Sequence, residues 1–538
     1  MARQEKFDAV VVGAGFSGLY MLHLLRQQGL KVVLLETAPE VGGTWYWNRY
    51  PGLRCDIESM QYCYTFDKGL DEKWRWSERF PRQPEILEYL KFAADHLDLR
   101  RDIRFETRLS AATWIEDEGV WRLESENGDT IECRYCAMAT GLLAEPVLPD
   151  IPGVGDFEGQ SIHSARWPEG LNDFTGKRVG LVGTGSSGVQ LVPELAKTAK
   201  SLHVLIRTPP FAQESHNRSL EEEEIASVRA EIDVLRERAR HNATGVWFRR
   251  FSDAYPYRSV PLEERQAELS RCWGEGGNSV LNRFNDVLID PDANAEIAQF
   301  MRDRIAEIVD DPETARLLSP HGVFAAKRLP IGTGYHAAFN RDNVHVVALK
   351  EEPIETIHAG GVRTTKADYP FDVLVYATGY DAGTGALSKI KISGRNGADI
   401  NQRWADDGPG AFMGIIAADF PNFFILTGPG SPGVLSNVVV MIEMHCEWTA
   451  ECIDWMERNN VRTIDARQED QDAWMDDIHS MAEGTLVMKE DNWYTGSNIA
   501  GKKRGMMFYM AGLGTYRKAI YDEAAKGYSD FVLERGES

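Results

Sequence analysis

The sequence has few basic side chains relative to acidic ones, and it lacks long apolar runs. Its 538 residues include 59 lysines and arginines against 82 aspartates and glutamates, so the net charge at pH 7 is -23. Such a charge argues against nucleic acid or an anionic membrane surface as the main partner, because both repel an acidic face. No apolar run is long enough to span a bilayer, and the N-terminus lacks the apolar segment of a signal peptide. We therefore expect a cytoplasmic protein whose partners include neither a membrane nor a nucleic acid.

Cysteine is also scarce. The seven cysteines are scattered and odd in number, which fits reduced thiols better than a disulfide framework. Cys133 and Cys136 form a C-x-x-C pair, which would be a redox dithiol or simply two residues of a strand that leads into Ala139. We favour the strand, because redox pairs usually open a helix whose dipole lowers the thiol pKa. We assign no metal site.

Two segments repeat the order strand, glycine-rich turn, helix and strand. In the first segment the strands are residues 7–12 and 31–36, and in the second they are residues 177–182 and 202–207. Each turn has the pattern G-x-G-x-x-G, with these glycines: Gly13, Gly15, Gly18, Gly183, Gly185 and Gly188. The glycines permit a tight turn and a close approach of backbone to a pyrophosphate, and the helix N-terminus supplies N–H donors. The pattern predicts an α/β fold with two Rossmann-type dinucleotide-binding domains.

The residues that end the second strand of each segment differ in charge. Glu36 ends the strand of the first segment, where a carboxylate accepts hydrogen bonds from ribose hydroxyls and repels a 2′-phosphate. Arg207, followed by Thr208, stands at the equivalent place in the second segment, where a guanidinium attracts a 2′-phosphate. The first site is therefore predicted to bind FAD and the second NADPH.

The chain is too long for one ordinary domain. Residues 214–323 have helical periodicity and are predicted to be a helical insertion, in which Ser219 caps a helix with residues 221–224 in its first turn. A strand predicted at 372–376 is followed by the same Ala-Thr-Gly sequence that begins at Ala139. We expect an FAD-binding domain of residues 1–141 and 382–538, and an NADPH-binding domain of residues 142–381 that includes the insertion.

A long motif stands between the two glycine-rich turns. Residues 157–168 match the pattern F-x-G-x-x-x-H-x-x-x-W-P with these residues: Phe157, Gly159, His163, Trp167 and Pro168. This pattern resembles the fingerprint of type I Baeyer–Villiger monooxygenases. Pro168 and Gly159 favour a linker rather than a helix, so His163 is interpreted as a structural or domain-motion residue rather than a general base.

Further motifs extend the resemblance over essentially the whole chain. Gly42-Gly43-Thr44-Trp45 is followed by Tyr50-Pro51-Gly52 and Asp56, and Trp493-Tyr494-Thr495-Gly496 stands near the C-terminus. The chain looks most similar to the phenylacetone and steroid monooxygenase branch, whereas Leu142-Leu143 is more like the cyclohexanone monooxygenase branch.

The resemblance implies an enzyme that uses FAD, NADPH and O2 to convert ketones to esters or lactones through a peroxyflavin, with sulfoxidation as a side activity. It implies that Arg328 and Asp56 are the catalytic residues, that Lys327 reaches the 2′-phosphate, and that Trp493 lies on a loop that closes over the nicotinamide. It also implies cofactor contacts from these residues: Thr44, Trp45, Ser186 and Gln190. The substrate pocket is expected to be formed by the following residues: Leu142, Leu143, Pro432, Gly433, Val434, Leu435 and Met507.

Three alternatives stay open. A monooxygenase that oxidises nitrogen or sulfur shares the two turns, although its linker motif departs from the one at 157–168. A disulfide reductase would use Cys133 and Cys136, and a non-oxygenating flavoprotein would act as a redox sensor. The ketone substrate and O2 are the expected partners, and the sequence implies no obligate protein partner.

Overall fold

The computed structural model describes residues 4–247 and 254–536. Its strands in chain order are β1 Gln4–Val12, β2 Val32–Leu35, β3 Ile103–Arg104, β4 Leu109–Ile115, β5 Val120–Ser125, β6 Thr130–Met138, β7 Gln160–His163, β8 Arg178–Val182, β9 Ser201–Ile206, β10 Gln213–Glu214, β11 Ile331–Gly332, β12 Val344–Ala348, β13 Ile354–His358, β14 Gly361–Thr364, β15 Asp368–Pro370, β16 Val373–Tyr376, β17 Lys391–Ser393, β18 Phe423–Ile425, β19 Val461–Ala466 and β20 Phe531–Arg535. Its α-helices are α1 Phe16–Gln27, α2 Thr44–Trp47, α3 Lys68–Lys73, α4 Gln83–His96, α5 Ser186–Thr198, α6 Glu222–Ala230, α7 Ile232–His241, α8 Leu262–Glu275, α9 Ser279–Arg283, α10 Pro291–Ile308, α11 Pro312–Leu318, α12 Ile400–Asp406, α13 Val438–Arg458, α14 Gln468–Glu483 and α15 Leu513–Ala525.

The first sheet has the strand order β17-β4-β5-β6-β1-β2-β3, and β18 also pairs with β6. Its central strand β1 runs parallel to both β2 and β6. The last four residues of β1 are buried, because the sheet is covered on both faces, which is why an apolar run rather than an alternating pattern marks this strand. Helix α1 follows the first glycine-rich turn and packs against α13. The later strands β17 and β18 thus join a sheet whose centre comes from the start of the chain.

The second sheet has the order β12-β9-β8-β16-β7 and is parallel throughout. Strand β8 leads into the second glycine-rich turn, α5 follows that turn, and β9 returns beside β8. The strands predicted at 177–182 and 202–207 lie within one residue of β8 and β9. The predicted α/β class with two Rossmann-type sheets is confirmed.

The segment between β10 and β11 is helical. Helices α6 to α11 occupy it in succession, and residues 248–253 of the predicted insertion lie outside the described residues, as do the chain ends at 1–3 and 537–538. The expected cap at Ser219 is wrong, because α6 begins at Glu222 with Glu221 at its N-cap. Ser219 instead forms an antiparallel bridge with Glu78, so its backbone is extended and it cannot cap the helix.

The fingerprint segment 157–168 is more regular than the predicted linker. Residues Gln160–His163 form β7, an edge strand of the second sheet that pairs with β16. Neighbouring side chains of this strand point to opposite faces, and Ser161 is exposed while Ile162 is buried, which suits an edge strand that is covered on one face. Among residues 4–247 and 254–536, no helix combines the length and apolar character that crossing a bilayer requires.

Candidate active site

A large cleft runs between the ends of the two sheets. Its volume is about 2030 Å³, and both glycine-rich turns contribute to its wall. A pocket for one drug-sized ligand measures about 300–1,000 Å³, so this cleft has room for more than one such molecule. The carboxyl ends of parallel strands are where ligands bind in sheets of this kind.

The first turn connects β1 to α1 through three glycines with different surroundings. Gly13 has φ +105°, and a Cβ there would lie 2.5 Å from the carbonyl oxygen of Ala139. A Cβ at Gly18 would lie 1.7 Å from the carbonyl oxygen of Gly13, so this glycine lets the helix pack on the strand. A Cβ at Gly15 has only ordinary contacts, the nearest being 3.6 Å from Cα of Gly43. Gly15 therefore faces the cleft, where a side chain would occupy the space that a pyrophosphate needs.

The second turn repeats these three roles. Gly183 has φ +100° and a Cβ there would lie 2.6 Å from the carbonyl oxygen of Ala377, while a Cβ at Gly188 would lie 2.2 Å from that of Gly183. A Cβ at Gly185 meets no atom within 4 Å. The N-terminal N–H groups of α5 thus face open space, and an anion fits there.

The strand-end residues differ in burial as well as in charge. Glu36 is 5 % exposed, and its carboxylate accepts hydrogen bonds from the backbone N–H of Ala14 at 2.6 Å and of Ala38 at 2.7 Å. Burial raises the pKa of Glu36, and these hydrogen bonds oppose the shift. Arg207 is exposed and Lys327 is half-buried, and both line the cleft. Neither cation contacts a carboxylate within the described ranges, so both are available to a phosphate.

The cleft also contains a charged pair, Arg328 and Asp56. The Arg328 guanidinium donates two hydrogen bonds of 2.7 Å to the two carboxylate oxygens of Asp56 and one of 2.6 Å to the carbonyl oxygen of Val434. The two side chains are 29 % and 18 % exposed. Burial acts to lower the pKa of Arg328, but the charge and hydrogen bonds of Asp56 outweigh it, so the pKa is raised. Arg328 is a permanent positive charge held in one orientation.

Neutral groups surround this pair. Burial raises the pKa of the phenols of Tyr62 and Tyr494 and of the thiol of Cys55. All three groups therefore stay protonated at neutral pH. Trp45 donates a hydrogen bond of 3.2 Å from its indole N–H to the Tyr62 oxygen. The permanent charges that act on all three groups are those of Arg328 and Asp56.

Most of the predicted cofactor-contacting side chains lie on the cleft wall. Trp493, which follows α14, packs with its ring centroid 5.9 Å from that of Phe508. These predicted residues line the cleft: Gly13, Gly15, Glu36, Thr44, Trp45, Asp56, Gly183, Gly185, Ser186, Gln190, Arg207, Thr208, Lys327, Arg328 and Trp493. Gly18 and Gly188 lie behind it at the helix–strand contacts.

The predicted substrate pocket is only partly brought together. Leu142, Leu143 and Val434 line the cleft. In the part of the chain that the structure describes, the wall does not include these four predicted residues: Pro432, Gly433, Leu435 and Met507. Gly433 is buried against the ring of Phe508, from which a Cβ would be 2.3 Å away. Pro432 and Met507 are also buried, whereas Leu435 is half-buried.

The fingerprint residues lie outside the cleft wall. His163 ends β7, where its Nδ1 accepts a hydrogen bond of 3.0 Å from the N–H of Ala165 and its Nε2 lies 3.3 Å from the carbonyl oxygen of Val147. Trp167 is buried, and its indole N–H donates to the carbonyl oxygen of Leu171 at 2.7 Å. A Cβ at Gly159 would lie 2.4 Å from the ring of Phe157. These contacts stabilise the chain where it enters the second sheet.

Two features of the site could not be read from the sequence. The carbonyl oxygen of Val434 holds Arg328, and a backbone acceptor leaves no side-chain signal. Tyr62 and Tyr494 come from distant positions in the chain and meet beside the pair only in the fold. Tyr494 adjoins Trp493 in a motif that draws attention to the tryptophan instead.

The comparisons with known proteins match this geometry. A family model described as "FMO-like: Flavin-binding monooxygenase-like" matches residues 6–212. A Baeyer–Villiger monooxygenase of Pseudooceanicola batsensis is 38% identical over 533 residues, which cover 98% of this chain and 96% of the relative. The chain belongs to the Baeyer–Villiger monooxygenase family.

Solved structures of other monooxygenases share the whole fold. The cyclohexanone monooxygenase of Rhodococcus sp. Phi1 bound to NADP+ has a TM-score of 0.96 and 40% identity, with 99% of this chain and 100% of that chain covered. OTEMO in complex with FAD and NADP has a TM-score of 0.94 and 37% identity, with 98% and 99% covered. This Baeyer–Villiger monooxygenase is accordingly an FAD- and NADPH-dependent enzyme. Its two turns have the space that these cofactors require, and the residues at its strand ends carry the charges that they require.

A further relative has a different activity in its name. A phenazine N-monooxygenase of Lysobacter antibioticus is 38% identical over 531 residues, covering 98% of this chain and 97% of the relative. The disulfide-reductase alternative finds no support in the geometry. Cys133 and Cys136 are buried free thiols on β6, away from the cleft wall, and burial raises the pKa of Cys133.

Proposed function

We propose that this Baeyer–Villiger monooxygenase inserts an oxygen atom from O2 next to a ketone carbonyl and releases an ester or lactone. The observation that carries the proposal is the Arg328–Asp56 pair, which lies in a cleft whose walls include both nucleotide-binding turns. A permanent cation at this place suits a reaction in which negative charge develops on oxygen.

The proposed arrangement assigns one cofactor to each domain. FAD is bound at Gly13–Gly15 and Glu36 by a domain of residues 1–141 and 382–538. NADPH is bound at the second turn by a domain of residues 142–381, with Arg207 and Lys327 on its 2′-phosphate and Trp493 against its nicotinamide. Bound FAD, reduced by NADPH, supplies the activation of O2.

Arg328 is proposed to be a catalytic residue, and Asp56 positions it. The guanidinium stabilises the negative charge that develops on the ketone oxygen and on the attacking oxygen. Asp56 holds the planar group through two hydrogen bonds of 2.7 Å, so little reorganisation is needed during the reaction. The third hydrogen bond, to Val434, fixes the guanidinium beside the pocket wall.

The substrate class follows from the wall. Leu142, Leu143 and Val434 are apolar, and the described wall near them also includes Ile442 and Val438. Such walls accept uncharged ketones and discriminate weakly between shapes, by about 10–200-fold per methylene. We propose cyclic, aryl-alkyl or bulky ketones as substrates.

A ketone panel tests this function. Purified enzyme with FAD, NADPH and air is offered linear, cyclic, aryl-alkyl and steroidal ketones, and products are scored by a mass increase of one oxygen. At least one member is expected to give an ester or lactone with matching consumption of NADPH. NADPH oxidation that yields only hydrogen peroxide with every ketone contradicts the proposal.

N-oxidation is the second candidate, because the phenazine N-monooxygenase is as similar in identity as the Baeyer–Villiger relative. A planar nitrogen heterocycle therefore belongs in the same panel. The enzyme is expected to prefer a ketone. A higher kcat/KM for the heterocycle, with an N-oxide as product, favours the second candidate.

A further inference from the structure

One buried side chain connects the helix after the second glycine-rich turn to the chain segments that carry Asp56 and Arg328. Gln190 is 9% exposed and lies on α5, one turn after the helix begins at Ser186. Its Oε1 accepts hydrogen bonds from the Tyr50 hydroxyl at 3.0 Å and from the Arg54 N–H at 3.3 Å. Its Nε2 donates to the carbonyl oxygens of Arg54 at 3.1 Å and Ile331 at 3.4 Å.

The partners of Gln190 stand close in the chain to Asp56 and Arg328. Arg54 precedes Asp56 by two residues, and Ile331 follows Arg328 by three residues. Chain segments this short leave little slack, because each residue spans at most about 3.6 Å. Gly52 packs on the same helix, since a Cβ there would lie 2.7 Å from the carbonyl oxygen of Gln190. Helix α5 is therefore held by direct contacts against both segments that carry the charged side chains.

The Gln190 amide has no capacity left for a nucleotide. A glutamine side chain has two acceptor sites on oxygen and two N–H donors, and protein groups engage all four here. We propose that Gln190 is a positioning residue, which fixes the Asp56–Arg328 pair against the helix that binds NADPH, rather than a nucleotide ligand. This inference rests on the proposed function, in which that pair stabilises charge during oxygen transfer.

The test is Gln190→Glu, which preserves shape and both acceptor contacts. The carboxylate cannot donate to the Arg54 and Ile331 carbonyls and places lone pairs against them. A misplacement of about 1 Å at a reacting group costs about 100-fold, so we expect oxygenated product per NADPH to fall about tenfold, with hydrogen peroxide accounting for the difference. The Kd of NADP+ and the anaerobic rate of flavin bleaching by NADPH are expected to stay within about threefold of the parent.

The matched control is Gln471→Glu, which adds the same charge outside the cleft. Gln471 accepts a hydrogen bond of 2.9 Å from the Ala418 N–H through its amide oxygen, and glutamate retains this contact. The coupling, meaning the amount of oxygenated product per NADPH consumed, should therefore not change in this control. Tyr50→Phe removes one of the four hydrogen bonds of Gln190 and keeps the packing. It is expected to shift coupling in the same direction by about threefold, which leaves the proposal testable if Gln190→Glu folds poorly.

Three results would overturn the proposal. One is unchanged coupling in folded Gln190→Glu or, if that variant fails to fold, in Tyr50→Phe. Another is a loss of NADP+ affinity as large as the loss of coupling, which identifies Gln190 as a nucleotide ligand. The third is an undiminished effect of Gln190→Glu in an Arg328→Ala background, since a residue that acts through Arg328 has little further effect there. If no ketone is oxygenated, the proposed function fails separately, and coupling is then measured with the heterocycle.

Discussion

The two glycine-rich turns have nearly the same backbone, yet the chain encloses them differently. At the first turn, Gly43 lies over Gly15, and the N–H of Gly42 donates a hydrogen bond of 2.9 Å to the carbonyl oxygen of Ala14. At the second turn, Gly185 has open space in front of it. The strand-end residues show the same difference in enclosure, because Glu36 beside the first turn is buried and hydrogen-bonded whereas Arg207 beside the second turn is exposed.

We propose that this difference separates a resident cofactor from one that exchanges. A covered turn with a buried carboxylate holds its nucleotide as part of the fold. An open turn flanked by available cations lets a dinucleotide enter and leave, as a reductant consumed in each turnover must. In this proposal, the glycine pattern specifies a dinucleotide, while the enclosure and the strand-end charge specify which one.

The largest effect is expected from Arg328→Ala, because Arg328 lies in the cleft that both glycine-rich turns line. Removing one well-placed donor to a developing oxyanion costs about 10²–10³ in rate, so ester formation should fall by that factor. Flavin reduction by NADPH creates no such charge and should persist. Anaerobic flavin bleaching measured beside aerobic ester yield separates the two steps.

Arg328→Lys is the accompanying variant. A compact ammonium lacks the planar fork that engages both oxygens of Asp56, so little rescue is expected. Near-normal ester yield from Arg328→Ala would assign the positive charge to another group, with Lys327 the first to examine.

A matched pair of substitutions tests the enclosure directly. Gly15 and Gly185 have φ of -86° and -70°, so valine strains neither backbone and acts only by filling the cleft. Gly15→Val is expected to be purified without flavin colour. Gly185→Val should stay yellow and resist reduction by NADPH. Absorbance at the flavin band and anaerobic titration with NADPH measure both, and the reverse outcome would show that the two sites are exchanged.

A smaller effect is expected at the second strand end. Arg207→Ala removes the proposed charge-assisted hydrogen bond to the 2′-phosphate, and such a bond is worth about 1.5–3 kcal/mol. The ratio of kcat/KM for NADPH to that for NADH should therefore fall about tenfold to a hundredfold. Lys327→Ala provides the comparison for the other available cation. An unchanged ratio in Arg207→Ala would remove Arg207 from the phosphate site.

The last effect concerns stability rather than activity, at the contact between α13 and the helical insertion. Glu443 is fully buried on α13, 3.3 Å from Arg240 of α7, and burial raises its pKa from 4.5 to about 7. The folded chain therefore binds more protons than the unfolded chain between these values, so this contribution is present below pH 4.5 and is lost as pH rises to about 7. The loss is at most about 3 kcal/mol.

Glu443→Gln should lack that pH-dependent loss. Thermal unfolding between pH 5 and 8 is the measurement, and the difference in Tm between variant and parent should shift in favour of the variant as pH rises. Parallel pH profiles would show that Glu443 does not titrate in this range.

Much of this protein follows from its sequence alone. Buried strands covered by helices on both faces require apolar runs, and tight turns at a phosphate require glycine, so both Rossmann-type units and their cofactors were predictable from local pattern. The charges of Glu36 and Arg207 stand at fixed distances along the chain from those turns, which is why cofactor preference was also predictable. Arg328 and Asp56 emerged from family resemblance, because no local rule connects residues so far apart in the chain.

The tertiary structure decided what depends on segments distant in sequence. Only the fold brings Asp56, Arg328 and the carbonyl oxygen of Val434 together, and only the fold fills all four hydrogen-bonding positions of Gln190 with protein groups. In the described part of the chain, it also left Pro432, Gly433, Leu435 and Met507 off the cleft wall. A sequence pattern records which residues are available at each point of the chain, whereas burial and pairing depend on which other segments pack against that point.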